Sequence, residues 1–216
     1  MSSRSGTATT VGILFVAQMV TAVVGTALIQ RFVDGDRDRS PLTIGVALMA
    51  CSGLIVVVIG LLMYPVLKTV NARLAVWYPI LRIVECTVST VCGVYLLTRS
   101  EVVPNHLLWV YVPTAAGGLI LCLVLLEGRL VPRPVALLGL IGYACLAVGI
   151  PLDLVGMLDM SSGGGQVLLV PGGLFEALVL PAWLIMKGFH LPPQVGTGAD
   201  GGRAVRRSRR IVGWTG

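Results

Sequence analysis

The sequence predicts an all-α protein, a polytopic transmembrane bundle of six spans with several proline-kinked helices. Hydrophobic residues make up 56% of the 216 residues and charged residues only 12%, about half the charged fraction of a soluble domain. The apolar residues fall into six runs, each near the ~20 residues that a membrane-spanning helix requires. The sequence lacks the alternating segments of ~10 residues that a transmembrane barrel would need.

The six predicted spans form one transmembrane domain over residues 1–189. They cover residues 10–30, 42–67, 75–97, 107–126, 134–152 and 167–187. The first span follows Arg4 and resembles a signal peptide, but its apolar core is long and five more spans follow. We therefore expect an uncleaved first helix.

The orientation follows from the basic residues of the loops and termini. With six spans, the side that holds both termini carries eleven Lys and Arg residues, and the other side carries four. Because loops on the cytoplasmic side are enriched in Lys and Arg, we expect both termini in the cytoplasm.

The basic tail over residues 190–216 is predicted to be disordered. Its arginines follow a Gly-rich linker and would bind anionic lipid headgroups, each contributing ~1 kcal/mol near the membrane surface. No aromatic pattern or fold accompanies the basic run, so nucleic-acid binding is not expected.

Prolines occur within several spans, where ordinary kinking is the simplest interpretation. The sixth span differs, because Pro171-Gly172-Gly173 and Pro181 bracket the acid Glu176. A freed backbone carbonyl inside a membrane must be satisfied by protein or water, so we expect a bent helix lining a cavity. The Gly-rich residues 161–166 before it are predicted to form a flexible turn.

Three ionisable residues lie near the middle of spans. Arg82 and Glu85 share one face of the third span, and Ser89 continues that face. At 1.5 Å per residue, Glu85 and Glu176 both fall near the midplane, and Gln18 lies at similar depth. A charge at the bilayer centre costs ~2.5–3.5 kcal/mol even on lenient insertion scales. These residues are therefore expected to face protein and to meet one another.

If the three groups meet, one guanidinium faces two acids. Arginine keeps its proton and can bind one carboxylate bidentately, which leaves the other acid without a partner. Glu85 is one turn from Arg82, so Glu176 is the better candidate for a neutral, proton-donating carboxyl. The alternative is that the three residues only staple two helices together.

The predicted site therefore comprises Arg82, Glu85 and Glu176 as catalytic candidates. Gln18, Ser89 and Asp153 are candidates for lining a substrate pocket. No cofactor or metal is expected, because the five cysteines lie inside apolar runs without a C-x-x-C pair and the two histidines are far apart in sequence.

Several segments resemble one family of bacterial membrane proteins. They are YPVLK at 64–68, RIVE at 82–85, LEGRLVPRPVALLG at 126–139, LFE at 174–176 and WLIMKGF at 183–189. In these residues the chain resembles the integral membrane proteins grouped as domain of unknown function 4386. The resemblance implies a six-helix bundle in a bacterial cytoplasmic membrane, with Arg82, Glu85 and Glu176 as family features. It implies no activity.

Three functions remain open at this point. A lipophilic small molecule bound between the third and sixth spans would suit acid-catalysed cyclisation or isomerisation of an isoprenoid, because a buried carboxyl can protonate an alkene inside apolar walls. A proton-coupled transporter would suit two halves of three helices, each with a Glu in its last helix. The third possibility is a non-catalytic membrane scaffold or accessory subunit. The oligomeric state cannot be read from the sequence.

Overall fold

A computed structural model of the chain describes residues 2–35, 38–101, 105–160 and 163–189, and in these residues it contains helices and turns but no strand. The long helices are α1 (Ser2–Val33), α2 (Arg39–Leu67), α3 (Ala72–Arg99), α4 (His106–Glu127) and α5 (Arg133–Leu154). Two short helices follow, α6 (Val170–Leu174) and α7 (Leu180–Met186). The predicted basic tail lies outside the described residues.

The six predicted spans are confirmed. Each of α1 to α5 contains a segment long and apolar enough to cross a membrane, and the sixth span, Gly164–Met186, meets the same criterion. The helices extend beyond the apolar runs, most clearly α1, which begins at Ser2 rather than near residue 10. Polar residues at a helix end can stay helical outside the membrane, which is why hydropathy alone marks the ends poorly.

Side-chain caps define the starts of two helices. The carboxylate of Asp38 accepts a hydrogen bond from the amide of Ser40 (3.0 Å) at the start of α2. At the start of α3, the side-chain oxygen of Asn71 accepts one from the amide of Leu74 (3.2 Å). These contacts satisfy amide groups that a helix leaves unpaired at its first turn.

The spans form a closed ring. Each long helix packs against the next one along the chain, and the sixth span completes the ring between α5 and α1. Glycines allow the closest approaches: a Cβ on Gly25 would lie 3.0 Å from the carbonyl oxygen of Gly45, and one on Gly142 would overlap the amide of Gly172. Helix pairs in membranes commonly use small residues in this way.

The sixth span changes helical type along its length. It runs as a 3₁₀ helix (Gly163–Leu169), then α6, then a π-helical segment (Phe175–Val179), then α7. The predicted turn at 161–166 is therefore wrong from residue 163 onward, while residues 161–162 lie outside the described residues. The amide of Leu180 donates to the carbonyl of Phe175, five residues earlier. Pro181 has no amide hydrogen and cannot donate a hydrogen bond to the preceding turn. The wider π turn occurs at this interruption of the α-helical hydrogen bonds.

Candidate functional site

Arg82 lies in the middle of α3 and is the largest fully buried side chain of the described protein, with 2% of its surface exposed. Its stem packs on α2, where a Cβ on Gly60 would lie 3.5 Å from both Cβ and Cγ of Arg82. Its Nε faces α4, 3.9 Å from a Cβ built on Gly117. The glycines thus leave room for the guanidinium to cross the interior of the ring.

The guanidinium of Arg82 joins two acids from different spans. Nη1 donates to Oε2 of Glu85 at 2.8 Å, within α3. Nη2 donates to Oε1 of Glu176 at 2.8 Å, across to the π-helical segment. The three ionisable residues that the sequence selected therefore do meet, at one point inside the ring.

The sharing of the guanidinium differs from the expected arrangement. The sequence predicts that one carboxylate binds Arg82 bidentately and that the other lacks a partner. Instead each carboxylate receives one terminal nitrogen at the same distance, because the acids approach from α3 and from the sixth span and so reach different edges of the guanidinium. One positive charge still faces two acids.

Arg82 and its partners differ in accessibility. Only 2% of the Arg82 side chain is exposed, whereas Glu85 and Glu176 keep 14% and 13%. The Arg82 side chain is thus enclosed by the helices, and the two glutamate side chains are the more exposed members of the cluster.

Two tyrosines that the sequence reasoning missed stand beside the cluster. The ring of Tyr78, one turn before Arg82 in α3, lies 5.2 Å from the guanidinium carbon, close enough for a cation–π contact. Tyr143 of α5 neighbours Glu176, Arg82 and Cys122. Tyrosines are common in apolar spans, and only the packing of the helices reveals which of them faces the acids.

The pocket candidates separate in the structure. Gln18 lies at about the same depth as Glu176. Gly12 of α1 faces Pro181 of α7, and the two spans are antiparallel. Gln18 follows Gly12 by six residues, and Glu176 precedes Pro181 by five. The backbone carbonyl of Gln18 accepts a hydrogen bond from Ser52 (3.2 Å). Ser89 is half-buried, one turn beyond Glu85 in α3.

Asp153 does not belong with the cluster. It follows Tyr143 by ten residues in α5, about 15 Å along the helix. Its carboxylate accepts a hydrogen bond from the amide of Met160 (2.9 Å) and so fixes the chain that leads into the sixth span. Its position at the end of an apolar run suggested a pocket, but the structure gives it a turn-stabilising contact.

Within the described residues, no group of three or more His, Cys, Asp and Glu side chains could hold a metal ion. The five cysteines are free thiols. The side chains at the cluster are the Arg82 guanidinium, the two carboxyls, the two phenols and the Cys122 thiol.

The fold and the cluster define the class of the protein. It is a multi-pass membrane protein built as a bundle of six apolar spans, in which one buried arginine forms ion pairs with two glutamates. The family model described as "Domain of unknown function (DUF4386)" matches residues 10–105, so this part of the chain is similar to that family. The match includes Arg82 and Glu85, while Glu176 lies beyond it. No curated protein and no solved structure matched the chain.

Proposed function

We propose that this membrane protein binds a lipophilic small molecule beside the Arg82–Glu85–Glu176 cluster and acts on it by acid catalysis, as an isoprenoid or lipid cyclase or isomerase. The observation that carries the proposal is the sharing of one buried guanidinium by two carboxyls, whose side chains are 14% and 13% exposed. With both acids ionised the cluster would hold a net negative charge among apolar helices, which is costly to bury. One proton on either carboxyl removes that excess.

A neutral carboxyl in this position is a proton donor. It would transfer its proton to an alkene carbon of the bound molecule, so that a C–H bond forms and the carboxylate left behind is stabilised by Arg82. The carbocation would then lose a proton from a neighbouring carbon, or react with a second alkene and then lose one. That proton returns to the carboxylate, so the acid is regenerated and no oxidant or reductant is needed.

Glu176 is the better candidate for the proton donor. Both acids lie 2.8 Å from Arg82, so distance does not distinguish them. Glu85, however, belongs to a continuous α-helix, whereas Glu176 lies in the π-helical segment. Such segments are frequent at functional sites, and their irregular backbone permits small shifts of a side chain between partners.

A proton-coupled transporter is the second candidate function. The specific observation in its favour is that the two acids come from α3 and from the sixth span, the last members of the two three-helix halves, and converge on one arginine. Such a protein would move a proton on and off the cluster while its halves rearrange. A scaffold with no ligand remains the third alternative, in which the cluster only joins two helices.

The first test compares Glu176→Gln with Glu85→Gln, which both keep the size and the hydrogen-bonding capacity of the side chain. Infrared difference spectra across pH 5–9 should show a carboxylic-acid C=O band in the wild type that vanishes in Glu176→Gln and survives in Glu85→Gln. Mass spectrometry of lipid extracted from the purified proteins should find an unsaturated lipophilic molecule in both variants, left unconverted in Glu176→Gln.

Two results would contradict the proposal. A wild-type protein whose acids are ionised across the whole pH range has no proton to donate. Purified protein that carries no lipophilic molecule and binds none when it is added supports the transporter or the scaffold instead.

A further inference from the structure

Three buried polar atoms beside the cluster make no hydrogen bond. They are the hydroxyl of Tyr78, the Nε–H of Arg82 and the hydroxyl of Tyr143. The residues that carry them are 0%, 2% and 2% exposed, so bulk water does not reach these atoms. A buried polar group without a partner costs about 1–3 kcal/mol, and native structures contain few of them.

The Tyr143 hydroxyl is held in place by the packing of its ring. A Cβ on Gly118 of α4 would overlap the ring, so the ring occupies the space that a larger residue would fill. On its other side the ring meets Phe175 edge-to-face, with centroids 6.2 Å apart. Phe175 directly precedes Glu176. The ring packing therefore fixes the position of the hydroxyl oxygen beside Glu176.

The three atoms belong to one small region. Gly117, which faces the Nε of Arg82, and Gly118, which faces the ring of Tyr143, are successive residues of α4. Tyr78 lies with its ring against the same guanidinium. Helices α3 and α5 thus bring three unused donors to the edge of the cluster, where the carboxylates of Glu85 and Glu176 supply acceptors.

We propose that the hydroxyls of Tyr78 and Tyr143 and the Nε–H of Arg82 form a subsite for one oxygen-bearing group beside the two carboxyls. The group is either a water molecule or a hydroxyl or carbonyl oxygen of the lipophilic molecule. An oxygen in this position accepts hydrogen bonds from two of the donors, because it has two lone pairs. A water molecule also donates two hydrogen bonds, one to a carboxylate and one to the oxygen of the remaining tyrosine, so that every member gains a partner. A ligand hydroxyl donates one of these two.

The subsite narrows the class of ligand. A pure hydrocarbon would leave all three groups unpaired, while an oxygenated lipophile, with an alcohol, ketone or epoxide oxygen, would accept hydrogen bonds from two of them. The ligand form of the subsite rests on the proposed function, whereas the water form does not.

The test uses Tyr143→Phe and Tyr78→Phe, which remove only the hydroxyls. Tyr64→Phe serves as the matched control, because Tyr64 lies in α2 with its ring near Lys68, away from the cluster. Each purified full-length protein is examined for thermal stability in detergent, for a water O–H infrared band that shifts in heavy-oxygen water, and for the oxygenated lipid that it retains.

We expect both cluster variants to melt at lower temperature than the control variant, because each loses a hydrogen bond that a bound oxygen completes. If the oxygen belongs to water, the isotope-sensitive band is present in the wild type and is lost in Tyr143→Phe. If it belongs to the ligand, the retained lipid falls about fivefold, the loss expected for one hydrogen bond.

The proposal is overturned if neither the band nor the retained lipid changes in either variant, whatever the melting temperatures are. The hydroxyls would then be buried polar groups that bind no oxygen. A water band in a protein that carries no lipophilic molecule would support the subsite and at the same time refute the proposed catalytic function, so the two failures are distinguishable.

Discussion

Replacing Arg82 with leucine should destabilise the protein by about 3–5 kcal/mol, the cost of leaving a buried ion pair without one partner. The structure supports this size independently. Arg82 makes two hydrogen bonds to acids, each 2.8 Å long, and a hydrogen bond to a charged group contributes about 1.5–3 kcal/mol. Because the side chain is only 2% exposed, water does not replace either contact.

The decisive measurement is a double-mutant cycle on unfolding in detergent. Glu85→Gln and Glu176→Gln are each combined with Arg82→Leu. Glu85→Gln removes the ionised acid that the arginine no longer balances and should recover about 1 kcal/mol or more of the loss, whereas Glu176→Gln should recover less because the proposed function places the proton on that carboxyl. Strictly additive effects in both cycles would refute the coupling on which the site depends.

Three further predictions concern packing, the turn and the topology. Gly142→Ala should destabilise the bundle by about 1–3 kcal/mol because its Cβ would strike the sixth span, while Gly173→Ala, which has open space, should not; equal melting temperatures would show that this close approach is not required. Asp153→Ala should cost about 1 kcal/mol of unfolding free energy and leave ligand retention unchanged, and a loss of retention would return Asp153 to the site. A reporter active only outside the cytoplasm should be inactive when fused after Lys187 and active within residues 161–166, and the reverse pattern would invert the predicted orientation.

The number of spans could be predicted from the sequence because burial in lipid demands long apolar runs, and nothing else in the chain resembles them. The ends of α1 could not, because the polar residues near Ser2 continue a helix that hydropathy does not register. Likewise, the prolines marked the sixth span as irregular. Which amide pairs with which carbonyl around Pro181, and hence the π-helical segment, depends on packing against the neighbouring helices.

The candidate site, too, could be predicted from the sequence only in part. The spacing of Arg82 and Glu85 and the depth of Glu176 were enough to select the three charged residues. The equal division of the guanidinium was not foreseeable, since it depends on the directions from which the two acids approach. Tyr143 could not be selected from the sequence because an uncharged tyrosine in an apolar run does not differ from its neighbours. It lies beside Glu176 because its ring packs against Gly118, which has no side chain.

The two ion pairs of Arg82 differ in when they can form as the chain is made. Glu85 is three residues away in the same helix, whereas Glu176 is 94 residues further along. When α3 first enters the bilayer, Arg82 already has Glu85 beside it and can insert as a locally neutral pair. Glu176 enters the membrane with the last span and binds an arginine that already contacts Glu85. The second bond therefore forms only as α7 and the π-helical segment close the ring, which makes the cluster a marker of completed assembly.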